Sequence, residues 1–216
     1  MNEVTLQGRI LRKWDGRNVS IITLFVEAEN STKDNMVVNF PTILFNYADK
    51  SKLKEFKEGD FVNISGTIKV RNVMEKNSDQ PHYHQYVKGI LISPVRSEMS
   101  EKFDADLGGR FDYINESLIE GTITNINSRN GVINMLVRPN DEKFNVSVVS
   151  FSPNQDAFFR KFTIGSKVCI KSEIQTSRKE YDDSNVKFYE NVVIAYIDKK
   201  REPKKTEVMD DPTQDL

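Results

Sequence analysis

The only histidine pair in this 216-residue chain, His82-Tyr83-His84, has neither a cysteine nor a carboxylate cluster beside it. Two imidazoles alone make a poor metal site, so the segment reads as a polar loop. A nuclease accessory or metal-dependent enzyme using His82 and His84 is the enzymatic alternative. Asp182-Asp183 and Asp210-Asp211 are paired carboxylates without a recognisable acid–base partner. Gly108-Gly109-Arg110 lacks the spacing and the lysine of a phosphate-binding loop. No serine, cysteine or histidine constellation suits nucleophilic catalysis. The expectation is a chain with no catalytic residues, no metal and no cofactor.

What the chain does offer is planar rings interleaved with cations. Arg12, Lys13, Trp14 and Arg17 lie together near the amino terminus. Lys69, Arg71 and Lys76 lead into Tyr83 and Tyr86, and Arg178 and Lys179 lead into Tyr181, Phe188 and Tyr189. Exposed rings stack on other flat groups, and cations neutralise a polyanion. For any one of these lysines an ordinary solvated hairpin is the commoner role.

The elements that must carry these residues repeat. Phe45 lies 14 positions before Gly59, and Phe151 lies 14 before Gly165. Leu6-Gln7-Gly8-Arg9-Ile10 answers Ile119-Glu120-Gly121-Thr122-Ile123, and Gly59-Asp60-Phe61-Val62 answers Gly165-Ser166-Lys167-Val168. A period just over 100 residues is too long for a solenoid and right for a small domain. The division that follows is a first domain at 1–97, an acidic linker at 98–116, a second domain at 117–198 and a charged, disordered tail at 199–216.

Within the first copy, Val4, Leu6 and Ile10 alternate with polar residues, which is strand periodicity. Residues 19–26, 35–45, 61–70 and 85–95 are further strands, and 47–56 reads as a short helix. The second copy repeats the order: strands at 118–126 and 132–137 around the hairpin turn Ser128-Arg129-Asn130-Gly131, then 144–151, a helix near 154–162, and strands at 168–174 and 186–197. The fold class is therefore all-β, two tandem five-stranded OB-fold barrels, each with a short helix between strands 3 and 4. SH3-like barrels would not place a helix there twice.

The stretch Ile43-Leu44-Phe45 through Gly59-Asp60-Phe61-Val62-Asn63-Ile64-Ser65-Gly66, with the opening Asn2 to Ile10, resembles bacterial and phage single-stranded DNA-binding proteins. The resemblance covers most of residues 2–95 and weakens in 117–197, where Ser172 replaces a glycine. It implies non-catalytic binding of single-stranded DNA in replication, recombination or repair, with little sequence preference. It also implies a stacking role for Phe45. An OB-fold normally binds on the outer face of strands two and three. If Ile22, Leu24, Phe40 and Leu44 face the core, then Phe25, Ile43 and Phe45 face outward; Ser147, Val149 and Phe151 do so in the second copy. Trp14 either stacks or closes the barrel mouth. Phe25, Phe45, Phe151 and Tyr86 are thus candidate platforms, and Arg12, Lys13, Lys69, Arg71, Arg138, Arg178 and Lys179 candidate phosphate partners. The family often has a tryptophan where this chain has Val73, so Tyr83 or Tyr86 substitutes.

Net charge is −1, which gives no whole-chain case for nucleic acid, but the acid concentrates in the linker and tail and leaves both domains mildly basic. One cysteine, Cys169, excludes an internal disulfide and fits a reducing cytoplasm; its parity turns it away from the core. No apolar run reaches membrane-spanning length, and the amino terminus does not read as a secretory signal. The acidic end, Asp210 to Leu216, is similar to tips by which the family recruits replication and recombination proteins, although Leu216 replaces the usual proline–phenylalanine. A homo-oligomer is open, as are RNA binding and a protein-interaction role within a larger complex.

Overall fold

The computed structural model describes residues 1–28, 37–46, 53–73, 82–95, 113–140, 142–151, 154–182 and 185–200. The strands are β1 (Asn2–Asp15), β2 (Val19–Glu27), β3 (Val38–Asn39), β4 (Thr42–Asn46), β5 (Phe61–Val73), β6 (His82–Pro94), β7 (Ile114–Arg129), β8 (Val132–Pro139), β9 (Val146–Ser150), β10 (Lys167–Asp182) and β11 (Asn185–Lys199), with one helix, α1 (Gln155–Lys161), among the described residues. They form an 11-stranded sheet that closes on itself twice. In the first circuit β1 pairs β2, β2 pairs β4, β4 pairs β6 in parallel, β6 pairs β5, and β5 returns to β1. In the second, β7, β8, β9, β11 and β10 pair in the same order, again with one parallel step. This is OB-fold topology. Buried Val, Ile, Leu and Phe from both circuits form one core cluster.

Local chemistry explains the closures. Gly59 and Gly165, at φ 95° and 86°, turn the chain into the fourth strand of each circuit. Their amides donate to the carbonyls of Ile10 and Ile123, both at 2.8 Å. Asn130 (φ 52°) and Gly131 (φ 80°) make the β7–β8 hairpin that the sequence predicts. The side chain of Asn154 caps α1 by accepting from the Ala157 amide at 3.0 Å. Most of the first-copy helix expected at 47–56 lies outside the described residues, as do Pro153, 96–112 and 201–216 of the tail.

A shared device latches each circuit. Asn2 accepts from the Ile68 amide (3.1 Å) and donates to the Ile68 carbonyl (2.8 Å). Asn115 does the same to Ile174, at 2.9 Å in both directions. Each amide side chain thus imitates a strand neighbour. Asn115→Ala leaves two backbone groups unpaired and should cost about 1–3 kcal/mol. An unchanged urea midpoint would contradict that.

The circuits join through antiparallel pairing of β1 with β7. Asn2 faces Ile119, Leu6 faces Asn115, and Val4 faces Ser117 between them. The join is thus close to two-fold symmetric.

Candidate nucleic-acid interface

A one-residue shift in β1 between Ile10 and Arg12 builds the first face. It pairs Arg12 with Thr23 and Trp14 with Ile21, and directly opposed residues share a face. Ile21 in turn opposes Leu44, and Thr23 opposes Thr42. Arg12 and Trp14 therefore stand on the outer surface of β2 and β4. Trp14 is 57% exposed, and its ring packs over Gly16, where a Cβ would sit 2.2 Å away. It lies on the surface and does not plug the barrel mouth.

Arg12, Thr23, Thr42 and Leu44 line a cleft of about 430 Å³, with Leu11, Phe40, His84, Gln85, Tyr86, Thr176 and Glu190 completing it. The Arg71 guanidinium lies over the Tyr86 ring, 5.6 Å from its centroid. Burial and the neighbouring Arg71 both hold the His84 imidazole below its usual value, so it is neutral at physiological pH. The cleft thus joins apolar walls to a permanent cation, the combination that suits bases and phosphates.

Several expectations need correcting. Phe45 is buried at 1% exposure. The segment from Phe40 through β4 runs in the opposite phase to the one expected: Ile43 and Phe45 point inward, and Phe40 and Leu44 do not. The reason is space. Phe45 opposes Ser20, and its ring fills the place where a Cβ on Gly89 would lie, 2.3 Å from Cε1. Lys13 is also not free for phosphate. Its ammonium donates to the carbonyls of Leu53 (2.6 Å) and Phe56 (2.9 Å) and lies 3.6 Å from Asp15. Alternation sets Lys13 opposite to Arg12 and Trp14, and the shift at Leu11 is what sends those two outward and Lys13 to the other side. Lys69 pairs with Glu142 and lies 5.2 Å over the Phe144 ring, so it tethers the second circuit. Phe25 faces outward but is tiled edge-on against Phe40 (6.1 Å) and tilted against Tyr113 (5.9 Å).

The second face keeps its expected phase. Ser147 and Phe151 are exposed and Val149 is half-buried, and Phe151 is 62% exposed. It borders a second cleft of about 430 Å³ with Arg129, Asn134, Gln175 and Asn191. Arg138 is exposed, its Nε 3.4 Å from Asn145 Oδ1. β7 carries the same one-residue shift, between Ile123 and Asn125, but Asn125 and Asn127 stand where β1 has Arg12 and Trp14. The two faces are therefore chemically unequal. Arg178 and Lys179 lie on β10 opposite Phe188 and Lys187, and their side chains fall outside the described residues. Sequence reading missed Leu44, Gln85, Thr176 and Glu190, because no local pattern tells which strands abut across circuits.

Among the described residues no group of three or more His, Cys, Asp or Glu could hold a metal ion. No helix there is long and apolar enough to cross a membrane. Cys169 is half-buried between Val168 and Ile170, which face the core.

The fold is that of single-stranded DNA-binding proteins. A deletion mutant of the single-stranded DNA binding protein from Thermus aquaticus matches with a TM-score of 0.69 at 12% identity, over 96% of this chain and 98% of that one. The wild-type Thermus aquaticus protein matches with 0.67 at 13% identity, over 94% and 95%. Both circuits lie within the match. No protein-family model matches the chain, and no curated protein matches it by sequence.

Proposed function

We propose that this chain binds single-stranded DNA along both circuits, with little sequence preference and without catalysis, in replication, recombination or repair. The observation that carries this reading is the presence of solvent-reaching rings together with cations on each circuit. Arg12, Trp14, Arg71 and Tyr86 supply it on the first, and Arg129, Arg138 and Phe151 on the second. The fold shared over nearly the full length with the Thermus aquaticus protein supports it. Stacking and charge neutralisation need no base-edge readout, hence the weak sequence preference. Two faces on one chain make the second contact intramolecular, so oligonucleotides spanning both should bind far more tightly than short ones. The acidic tail is the segment we assign to protein partners.

Trp14, the only tryptophan, reports directly. Oligo-dT should quench its fluorescence, and affinity should fall with salt at a log–log slope of about −3 for roughly four neutralised phosphates. RNA of the same length in parallel decides between the two acids. A tryptophan signal indifferent to any oligonucleotide at low salt, with no complex by gel shift, would reject the assignment.

A further inference from the structure

Among the described residues the first cleft contains one acid, and it comes from the other circuit. Glu190 on β11 is half-buried and lines the cleft beside Arg12, Phe40, Thr42, Leu44 and Tyr86 of the first circuit. Its carboxylate accepts from the Thr42 amide and from the Thr42 hydroxyl. Both bonds come from one residue, and both favour the ionised form. An ionised carboxylate accepts at about four lone-pair positions, so about two remain for donors that enter the cleft.

Its counterpart is a neutral amide. Val87 faces Ile43 on the parallel step of the first circuit, and Val192 faces Val148 on that of the second. Counting back two residues makes Gln85 on β6 the counterpart of Glu190 on β11. Gln85 Oε1 accepts from the Ser147 amide at 2.9 Å, and its Nε2 donates to the Ser147 carbonyl at 3.2 Å. A glutamine at this position therefore ties the circuits together, and the tie does not itself call for a carboxylate. The second cleft includes Asn134, Gln175 and Asn191 and, among the described residues, no acid.

A carboxylate repels a phosphate, the more so where water is partly excluded. The phosphate of a bound nucleotide therefore belongs at Arg12, and Glu190 is left to meet the base. What it accepts is N–H donors. Guanine alone among the four DNA bases carries two adjacent donors on its pairing edge, the N1–H and the N2 amine. These match the two oxygens of a carboxylate in a bidentate fork. Thymine flanks its single N–H with carbonyls, and adenine and cytosine set a lone-pair nitrogen beside the amine. Phe40, Leu44 and Tyr86 supply apolar walls for the ring. We propose that this cleft is a guanine-selective subsite, in which Glu190 receives the N1–H and N2 amine of one unpaired guanine while Arg12 takes the adjoining phosphate. The subsite rests on the single-stranded DNA reading and adds a preference at one nucleotide to a surface otherwise indifferent to sequence.

Competition against a labelled oligo-dT, on the full chain at pH 8, tests it; burial raises the Glu190 carboxyl to about 7, so it is ionised there. One central dG in oligo-dT should tighten binding about fivefold, the lower end of the discrimination that one bidentate pair provides. One central dA, a purine that stacks as well but lacks the paired donors, should change it by about twofold or less. Deoxyinosine, which keeps the N1–H and lacks the N2 amine, should lose most of the gain. Glu190→Gln, which copies the side chain of Gln85, should bind oligo-dT at least as tightly as the unaltered chain and no longer distinguish dG from dA. Equal affinity for the dG and dA oligonucleotides overturns the subsite. So does a dG preference that deoxyinosine matches, or one that survives Glu190→Gln. The base comparison on the unaltered chain decides the matter even if the variant does not fold. No complex with any of these oligonucleotides at low salt rejects the single-stranded DNA reading itself, and the subsite with it.

Discussion

Phe45→Ala should destabilise the fold by about 3–5 kcal/mol, the usual cost of removing a fully buried phenylalanine ring. The site cannot collapse to fill the hole, because its neighbours are already minimal: Ser20 lies across the β2–β4 pair and Gly89 sits beneath the ring. The second circuit fills the equivalent layer differently. There Ile133 faces Ser150 on the β8–β9 pair, and Ile194 lies opposite Ser172 where Gly89 lies opposite Gly66. Bulk has moved from one strand to its neighbours, and moving it from Phe45 to Gly89 alone roughly conserves volume, a kind of exchange that cores tolerate. Copying it should therefore rescue. A Phe45→Ser/Gly89→Ile chain should recover more than half of the loss, because the three atoms nearest a Cβ at Gly89 all belong to Phe45 itself. Equilibrium urea unfolding of the single and double variants measures the coupling directly. Simple additivity of the two changes would show that ring and glycine do not share one space.

The same layer shows why the sequence misled at this point. Ile43, Leu44 and Phe45, with Phe40 just before them, make β4 apolar on both faces, so alternation identifies a strand without giving its phase. The phase is set by Ser20 and Gly89, from two other strands, which leave the gap that the ring fills. The equal 14-residue spacing of Phe45 and Phe151 to their glycines then reads as equivalence. Pairing registers instead place Ser150 in the position of Phe45, so the chain after β9 carries one extra residue before Gly165. Features fixed locally were legible: the Asn130-Gly131 hairpin, the turns at Gly59 and Gly165, the outward phase of Ser147, Val149 and Phe151, and the half-exposed Cys169. Features fixed by a single inserted residue were not. The shift at Leu11 reverses the parity expected from Ile10, so that Arg12 and Trp14 reach the face while Lys13 turns back to two carbonyls. Contacts between circuits were the least legible. Lys69, Gln85 and Glu190 look like finger residues in sequence, and only the β1–β7 join brings the opposite circuit to them.

Phe151→Ala should weaken oligo-dT binding by about 1–3 kcal/mol, which is about 5- to 150-fold in Kd, because one stacking platform is lost. Its melting temperature should barely move, since a ring 62% exposed to solvent contributes little to the core. Salt separates this loss from a loss of charge. Removing a neutral ring leaves the salt slope unchanged, whereas Arg12→Ala should make it shallower by about 0.7. Phe151→Tyr should retain most of the affinity and Phe151→Leu should not, because stacking needs a flat π-face rather than apolar area. Fluorescence anisotropy of a labelled oligonucleotide is the suitable readout, as Trp14 reports from the first circuit. Asymmetry sharpens the expectation further. The second face has Asn125 and Asn127 where the first has Arg12 and Trp14, so Phe151 stands with fewer supporting groups. Its removal should therefore impair long oligonucleotides that need both faces more than short ones that the first face can hold alone. Equal weakening at every length would place Phe151 outside a path shared by the two circuits.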